Sequence, residues 1–338
     1  MKTRTLLALV LLAGCDLVSP DDPGPGPGPD PIPLVQLFPV ERADRWGYMD
    51  VSGRLVIEPR YHAARPYSEG YAAVRTYVND RWVWQYLRPN GTVAFEVTAG
   101  EAYDVRGGRV RVRADGKFGF VDTTGTYVVN PYLNDARDFI EGLARVKTTG
   151  WRWGFLQPSG QVSIEPEFDA VADFSEGRAL FEEEDRYGYL GASGAPAIEP
   201  QFEGARSFSD GLAAVRVGDR WGYINPAGQF VLTPHFISAG DFAEGRAPVR
   251  TENLWEYVDQ AGARVIAPAF DDARAFSEGR AAVRIGTQWT FIRADGSTIR
   301  APEFDEVEDF RAGLARVRLG ELWGYINPEG AFVWYPQG

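Results

Sequence analysis

The chain has 338 residues, 44% of them apolar and 13% aromatic, which is enough for a large packed core. Its formal net charge of −12 repels phosphate backbones, so a nucleic-acid partner is not expected. The 38 glycines and 23 prolines indicate a turn-rich protein, while one cysteine and two histidines leave no disulfide framework and almost no ligands for a transition metal.

The N-terminal residues 1–14 are typical of a signal peptide. A short basic start precedes a largely apolar segment, residues 5–14, which is too short to span a bilayer as a helix because that takes about 20 residues. The segment runs into Leu-Ala-Gly-Cys at residues 12–15, which resembles a bacterial lipobox. The resemblance implies that Cys15 carries a lipid such as palmitate, and it predicts a lipid-anchored protein of the cell envelope, at the periplasmic face or the cell surface. An ordinary signal peptide with an incidental cysteine is the alternative.

Residues 15–33 comprise Cys15 and a segment in which prolines alternate with glycines. Proline lacks a backbone donor and has a fixed φ angle, so this segment cannot form helices or sheet ladders. We expect an extended tether that links a membrane anchor to a folded domain over residues 34–338.

A repeat fills that domain. Turn glycines recur in steps of 38, 34 and 35 residues and then five steps of 34, at Gly53, Gly91, Gly125, Gly160, Gly194, Gly228, Gly262, Gly296 and Gly330. Seven positions before each glycine lies the first aromatic column, Trp46, Trp84, Phe118, Trp153, Tyr187, Trp221, Trp255, Trp289 and Trp323. Two positions further on lies the second aromatic column, Tyr48, Tyr86, Phe120, Phe155, Tyr189, Tyr223, Tyr257, Phe291 and Tyr325. Such regularity predicts a repeat architecture.

One period predicts three strands. Residues 212–217 and 220–225 alternate in polarity around a tight turn, and residues 230–232 form a short strand that stops at Pro234. Segments such as residues 270–279 are interpreted as connections to the next unit. The prediction is an all-β stack of nine three-stranded antiparallel units, curved or ring-like as in a propeller, with an open β-solenoid as the alternative.

Several units contain a Trp-Gly step followed later by Phe-Ser-Glu-Gly, and this pattern resembles the WG repeat family of bacterial proteins. The steps are Trp46-Gly47, Trp153-Gly154, Trp221-Gly222 and Trp323-Gly324, and the Phe-Ser-Glu-Gly runs are residues 174–177 and 276–279. The resemblance covers residues 34–338. The sequence departs from the family pattern at Gln85, Glu256 and Thr290, which stand in place of the glycine. The resemblance implies an all-β scaffold and does not imply a reaction. We expect the aromatic pair of each unit to pack against the adjoining unit, with the glycine providing clearance.

A basic column repeats in the first strand of the units. Its members are Arg75, Arg113, Lys147, Arg216, Arg250, Arg284 and Arg318, and Glu182 takes the equivalent place in one unit. An acidic series follows the same period, at Glu69, Glu141, Glu176, Asp210, Glu244 and Glu278. One interpretation is a ladder of ion pairs between the two sets. The other is a ridge that binds an anionic wall polymer or an acidic protein segment.

Two pairs of tryptophans depart from the repeat pattern. Trp82 precedes Trp84, and Trp151 precedes Trp153, by two positions, so each pair shares one strand face. These four residues are a candidate aromatic platform for sugars. The alternative is that they cover a gap beside the longer turns nearby.

No catalytic constellation is recognisable, since His62 and His235 lie in different units without a repeated acidic partner. We therefore expect a monomeric, non-enzymatic binding or scaffolding module, with no cofactor and no metal site. Its predicted partners are the membrane, through the anchor, and an envelope protein or wall polymer. A glycan- or peptidoglycan-binding protein is the first alternative, and an unrecognised hydrolase is the second.

Overall fold

The structure is a computed structural model that describes residues 36–148 and 150–336. The predicted signal peptide, lipidated Cys15 and linker lie outside the described residues. Within them the chain forms 34 β-strands, arranged in nine antiparallel sheets that we number in chain order. No described segment is a helix with the length and apolar character that a membrane span requires.

The strands follow one another along the chain. Sheet 1 contains β1 (Phe38–Arg42), β2 (Arg45–Met49) and β3 (Leu55–Tyr61). Sheet 2 contains β4 (Ala63–Ala64), β5 (Ala72–Val78), β6 (Arg81–Leu87) and β7 (Val93–Val97). Sheet 3 contains β8 (Glu101–Arg106), β9 (Arg109–Ala114), β10 (Lys117–Asp122) and β11 (Tyr127–Leu133). Sheet 4 contains β12 (Asp135–Ile140), β13 (Leu143–Lys147), β14 (Trp153–Leu156) and β15 (Val162–Phe168). Sheet 5 contains β16 (Ala170–Ser175), β17 (Arg178–Glu183), β18 (Arg186–Leu190) and β19 (Pro196–Phe202). Sheet 6 contains β20 (Gly204–Ala205), β21 (Ala213–Val217), β22 (Arg220–Ile224) and β23 (Phe230–Phe236). Sheet 7 contains β24 (Ser238–Ala239), β25 (Arg246–Arg250), β26 (Trp255–Asp259) and β27 (Arg264–Phe270). Sheet 8 contains β28 (Asp272–Ser277), β29 (Arg280–Ile285) and β30 (Gln288–Arg293). Sheet 9 contains β31 (Glu306–Val307), β32 (Ala315–Leu319), β33 (Leu322–Ile326) and β34 (Phe332–Trp334).

Seven of the nine sheets have four strands, so the prediction of three strands per unit is wrong for those seven. The segment interpreted as a connection is in fact the first strand of its sheet: β28 pairs with β29 through Asp272 and Ala273, opposite Arg284 and Val283. In the four-stranded sheet 5 the equivalent strand, β16, pairs with β17 in the same way. A register shift between Ala273 and Phe276 breaks the alternation of buried and exposed side chains. A strand interrupted in this way lacks the regular two-residue period by which a sequence predicts it.

The nine sheets close into a ring. The Tyr325 hydroxyl of sheet 9 donates a hydrogen bond of 3.0 Å to the Pro39 carbonyl of sheet 1, and the rings of Phe38 and Tyr325 pack edge to face at 5.7 Å. A side chain at Gly53 in sheet 1 would collide with Val333 of sheet 9. The fold is therefore a nine-bladed β-propeller, each sheet is a blade, and the open-solenoid alternative is wrong.

The glycine of the Trp-Gly step gives clearance within its own blade and not against the neighbour. A Cβ at Gly222 would lie 2.5 Å from the Leu232 carbonyl oxygen and 2.8 Å from the Pro234 nitrogen, both on β23. Strand β23 continues through Pro234 to Phe236, contrary to the expected stop. The register shifts between Trp221 and Tyr223, so the proline sits where the ladder is irregular and its missing donor costs little.

The second aromatic column packs between blades, as the sequence predicts. All nine of its rings are buried, and the tyrosine members donate hydrogen bonds to carbonyls of the following blade. The bonds run from Tyr48, Tyr86, Tyr189, Tyr223, Tyr257 and Tyr325 to the carbonyls of Arg65, Tyr103, Arg206, Gly240, Arg274 and Pro39, respectively. Burial raises the pKa of Tyr223 above its ordinary value, so this phenol remains a donor at neutral pH.

The acidic series joins successive blades through backbone amides, and the predicted ion pairs with the basic column are wrong. Glu176 adopts a left-handed turn (φ 53°), and its amide and that of Gly177 donate 2.7 and 2.9 Å hydrogen bonds to the Glu141 carboxylate of the preceding blade. Glu69, Asp210, Glu244 and Glu278 accept equivalent amide hydrogen bonds from the blades that follow them. Ion pairs between blades involve other residues, such as Arg111–Asp138 and Arg145–Asp173.

Candidate binding surfaces

The basic column faces the first aromatic column across a strand pair. The opposed residues are Arg75–Trp84, Arg113–Phe118, Lys147–Trp153, Arg216–Trp221, Arg250–Trp255, Arg284–Trp289 and Arg318–Trp323. The cation lies over the opposed ring at 4.9 Å for Lys147 and at 5.4 Å for Arg113. These contacts are cation–π interactions, which stabilise the strand pair as well as offering charge at the surface.

Several guanidiniums of the column also bind carbonyls within their own blade. Arg216 donates to the Glu203 carbonyl at 2.7 Å, and Arg318 donates to the Gly320 carbonyl at 2.7 Å. The bond of Arg318 secures the turn between the two central strands of its blade, whereas the bond of Arg216 ties β21 to the residue that precedes β20. Binding of an anionic polymer by the column stays a prediction.

Each tryptophan pair has one exposed and one buried ring. Trp82 and Trp151 are 44% and 81% exposed, whereas Trp84 and Trp153 are 7% and 8% exposed. The two buried rings belong to the first aromatic column and are covered by cations, Trp84 by Arg65 and Arg75 and Trp153 by Arg137, Arg145 and Lys147. The surface that a ligand can reach is therefore offered by Trp82 and Trp151.

The basic column is interrupted in two blades, where a glutamate faces the aromatic ring. Glu182 faces Tyr187 in blade 5, and Glu41 faces Trp46 in blade 1. Sequence reasoning noted Glu182 and missed Glu41, although Glu41 precedes Trp46 by the same five positions that separate Glu182 from Tyr187. In the described part of the chain, no cation lies over either ring, and a cavity adjoins both places.

The cavity at blade 5 is an acidic cleft of about 750 Å³ between blades 4 and 5. Phe168 and Phe181 form part of its wall, with their rings edge to face at 5.8 Å. Among the described residues that line it, the charged groups are the carboxylates of Glu167, Asp169, Glu182, Glu183, Glu184 and Asp185 and the guanidinium of Arg152. The acidic cleft thus combines aromatic surface with a large excess of negative charge.

Beside the acidic cleft, blade 5 lacks the cations that cover the equivalent ring of the first aromatic column in seven other blades. Ala172 and Glu182 occupy the places of Arg206 and Arg216 in blade 6, where Arg206 covers Trp221 at 6.0 Å. A second cavity of about 240 Å³ results beside Tyr187, and it shares Ala170, Phe181 and Glu182 with the acidic cleft. Burial, and then the carboxylate of Glu182, raise the pKa of Tyr187, so its phenol stays neutral at pH 7.

The two histidines lie in different blades. The His62 ring packs edge to face on Trp82 at 4.7 Å, and His235 Nδ1 lies 2.7 Å from the Thr233 carbonyl oxygen. Residues 36–148 and 150–336 contain no group of three or more His, Cys, Asp or Glu side chains placed to hold a metal ion.

The family model described as "WG containing repeat" matches seven segments of the chain. They are residues 46–82, 118–150, 153–187, 187–221, 221–255, 257–287 and 289–323. None of the curated proteins matches the sequence.

Similar solved structures include a eukaryotic initiation factor, which is 13% identical over 88% of this chain and 95% of that chain, with a TM-score of 0.61. BamB from Moraxella catarrhalis is 11% identical over 78% of this chain and 94% of that chain, with a TM-score of 0.38. At such identities the likeness to the initiation factor shows the fold alone. Since the repeat model matches well over half of the residues, the chain belongs to the WG repeat family.

Proposed function

We propose that this protein is a non-catalytic binding module of the cell envelope, which holds a cationic segment of a partner protein in the acidic cleft between blades 4 and 5. The observation that carries the proposal is the acidic cleft itself, because six carboxylates face one guanidinium among its described lining residues. One of the six, Glu182, takes the place of a basic-column cation. In seven other blades an arginine or lysine of the protein itself covers the equivalent ring of the first aromatic column. A partner's lysine or arginine would pair with the carboxylates of the acidic cleft, among them Glu182, which also borders the cavity beside Tyr187.

The chemistry of the acidic cleft selects for positive charge together with apolar surface. Six carboxylates against the guanidinium of Arg152 attract and orient a basic segment, which raises the association rate and disfavours acidic partners. The rings of Phe168 and Phe181 supply the aromatic anchor surface on which protein interfaces concentrate their binding free energy.

The ring closure makes the acidic cleft a preformed site. Hydrogen bonds from one blade to the next hold its two walls, such as the bonds that the Glu141 carboxylate accepts from the amides of Glu176 and Gly177. Binding to a preformed site loses little conformational entropy in the receptor. A short basic and aromatic segment is therefore enough for useful affinity.

The test restores the cation that the repeat has elsewhere. The substitution Glu182→Arg places a guanidinium opposite Tyr187, and Glu58→Arg makes the same charge change at an exposed position in blade 1. The probe is a fluorescent peptide of alternating lysine and tyrosine, and its glutamate–tyrosine counterpart is the negative control. We expect E182R to weaken binding of the basic peptide about tenfold or more, and E58R to change it less than about twofold, by fluorescence anisotropy.

Equal effects of E182R and E58R would mean that only net charge matters, and the proposal of a specific cleft would then fail. Failure of the wild-type protein to bind the basic peptide would also overturn it. Binding of the acidic peptide with similar affinity would exclude charge selection.

The envelope location is proposed from the N-terminal residues. Cys15 follows a short apolar segment in a lipobox-like context, and residues 16–33 are rich in proline and glycine. Cells that express the wild-type chain should incorporate labelled palmitate into it and retain it in the membrane fraction. The Cys15→Ser variant should lose the label and move to the soluble fraction, and a variant that keeps both would contradict lipidation at this cysteine.

A further inference from the structure

The hairpin formed by the two central strands of blade 2 is longer than the corresponding hairpins of blades 1 and 3. Its central strands, β5 and β6, have seven residues each, whereas β21 and β22 of blade 6 have five. The four additional residues extend the hairpin to a turn at Asn79 and Asp80, both of which have positive φ angles (49° and 60°). Tyr77 and Trp82 face each other across this extension. They are 52% and 44% exposed, so the extension presents two large rings to solvent.

Trp82 is the centre of a cluster of rings and a cation, which we call the blade-2 patch: His62, Arg75, Tyr77 and Trp82. The rings of His62 and Tyr77 meet Trp82 edge to face at 4.7 and 5.3 Å. The Arg75 guanidinium carbon lies 5.0 Å from the centroid of the Trp82 ring. These contacts hold the indole in one orientation although it is exposed, which lowers the entropy lost when a ligand stacks on it.

Arg75 differs from three other members of the basic column in its partners. Arg113, Arg284 and Arg318 form salt bridges with Glu101, Asp272 and Glu306. No salt bridge to Arg75 occurs within residues 36–148 and 150–336, and its guanidinium lies between the rings of Trp82 and Trp84. Stacking leaves the N–H groups at the edge of a guanidinium available, and their planar fork matches a carboxylate.

We propose that the blade-2 patch binds a glycan that carries carboxylates, such as a polymer of uronic acids. A pyranose ring would stack its C–H face on Trp82, and a sugar carboxylate would accept hydrogen bonds from Arg75. The hairpin has two guanidiniums, Arg75 and Arg81, against the one carboxylate of Asp80, so it favours an anion although the whole chain is acidic. The patch is carried on a projecting hairpin, and this convex form suits a stacked sugar better than an extended peptide, which needs a groove or a free strand edge.

This site is separate from the acidic cleft of blades 4 and 5, and its ligand has the opposite charge. The two proposals therefore fail independently. E182R, which blocks the acidic cleft, should leave glycan binding unchanged.

The experiment is a calorimetric titration of the full-length protein, in detergent, with hexagalacturonate and with its fully methyl-esterified form. The test variants are Trp82→Ala and Arg75→Gln. Trp151→Ala and Arg250→Gln are the matched controls, because Trp151 is 81% exposed outside the patch and Arg250 belongs to the basic column of blade 7.

We expect the wild-type protein to prefer the acid over the ester. W82A should weaken binding of the acid by about tenfold or more, and R75Q should reduce the affinity for the acid to that for the ester. W151A and R250Q should bind within about twofold of wild type.

The proposal is overturned by any of three results. The first is no binding of the acid by the wild-type protein, and the second is unchanged binding by W82A. The third is equal wild-type affinity for acid and ester, which would remove the role given to Arg75. A thermal denaturation scan of each variant verifies that the propeller is intact, as expected for substitutions at an exposed hairpin.

Discussion

The tight contact at the Trp-Gly glycine predicts that Gly222→Ala destabilises the propeller. The new Cβ would lie 2.5 Å from the Leu232 carbonyl oxygen, which is about 0.9 Å short of ordinary contact, and 2.8 Å from the Pro234 nitrogen. Both obstacles are backbone atoms of β23, so no side-chain rotation relieves the clash. Overpacking of this kind costs about 1–3 kcal/mol, and the alanine recovers about 0.4–1 kcal/mol by restricting the unfolded chain. We expect a net loss of about 1–2 kcal/mol in the free energy of unfolding.

Urea denaturation followed by tryptophan fluorescence measures this loss as a lower midpoint at unchanged slope. The matched control is Gly150→Ala, because a Cβ at Gly150 meets no atom within 4 Å and its φ angle is not left-handed. G150A should lie within about 0.5 kcal/mol of wild type. If G222A and G150A have the same stability, the clearance explanation for the Trp-Gly step is wrong.

Three further predictions concern contacts between and within blades. Tyr223→Phe leaves the half-buried Gly240 carbonyl of the next blade without its donor (2.8 Å), and it should lower the free energy of unfolding by about 0.5–1.5 kcal/mol in the same assay; no change would refute a role for this bond. Asp210→Ala frees the Gly245 amide, now bonded at 2.6 Å, so hydrogen exchange at Gly245 should accelerate, and unchanged protection would contradict the inter-blade role. Hydrogen bonding, first from the Ser52 hydroxyl, lowers the pKa of Asp50 to about 2, so the stabilisation is present above pH ~4 and is lost as pH falls towards 2. Asp50→Asn should flatten the fall of the urea midpoint between these pH values, and an unaltered profile would contradict it.

The repeat was predictable because its columns are dictated by local geometry. Turn glycines such as Gly228 have positive φ angles (80°), a conformation that glycine adopts without strain, so the period is visible in the sequence. The second aromatic column was predictable as core for a similar reason: large apolar rings at a fixed spacing are stable only when they are buried.

The strand formed by the connecting segments and the role of the acidic series were not predictable in this way. A register shift within β28 hides its strand pattern, and Pro234 in β23 imitates a strand end. The Glu141 carboxylate accepts hydrogen bonds from backbone amides, which every residue but proline carries, so no residue type in the sequence identifies its partner.

The candidate sites likewise have features that the sequence predicts and features that only the packing of the blades reveals. Trp82 and Trp151 were both recognised as departures from the pattern, but only the packing of His62, Tyr77 and Arg75 around Trp82 distinguishes one ring from the other. The cavity beside Tyr187 escaped prediction because it results from a missing contact, although Glu182 is visible in the sequence as an exception to the basic column. Whether a missing cation leaves a cavity depends on the residues packed around that position, and the sequence alone does not show them.

The sequence by itself determined an all-β repeat of nine units, since period, turn chemistry and aromatic spacing are local properties that each unit repeats. The tertiary structure alone decided that the units close into a ring, that the Trp-Gly glycine makes room for the next strand of its own blade, and where clefts open. The physical reason is that closure and clefts depend on how neighbouring blades meet. Those contacts join atoms about one repeat apart, or at opposite ends of the domain in the case of Pro39 and Tyr325.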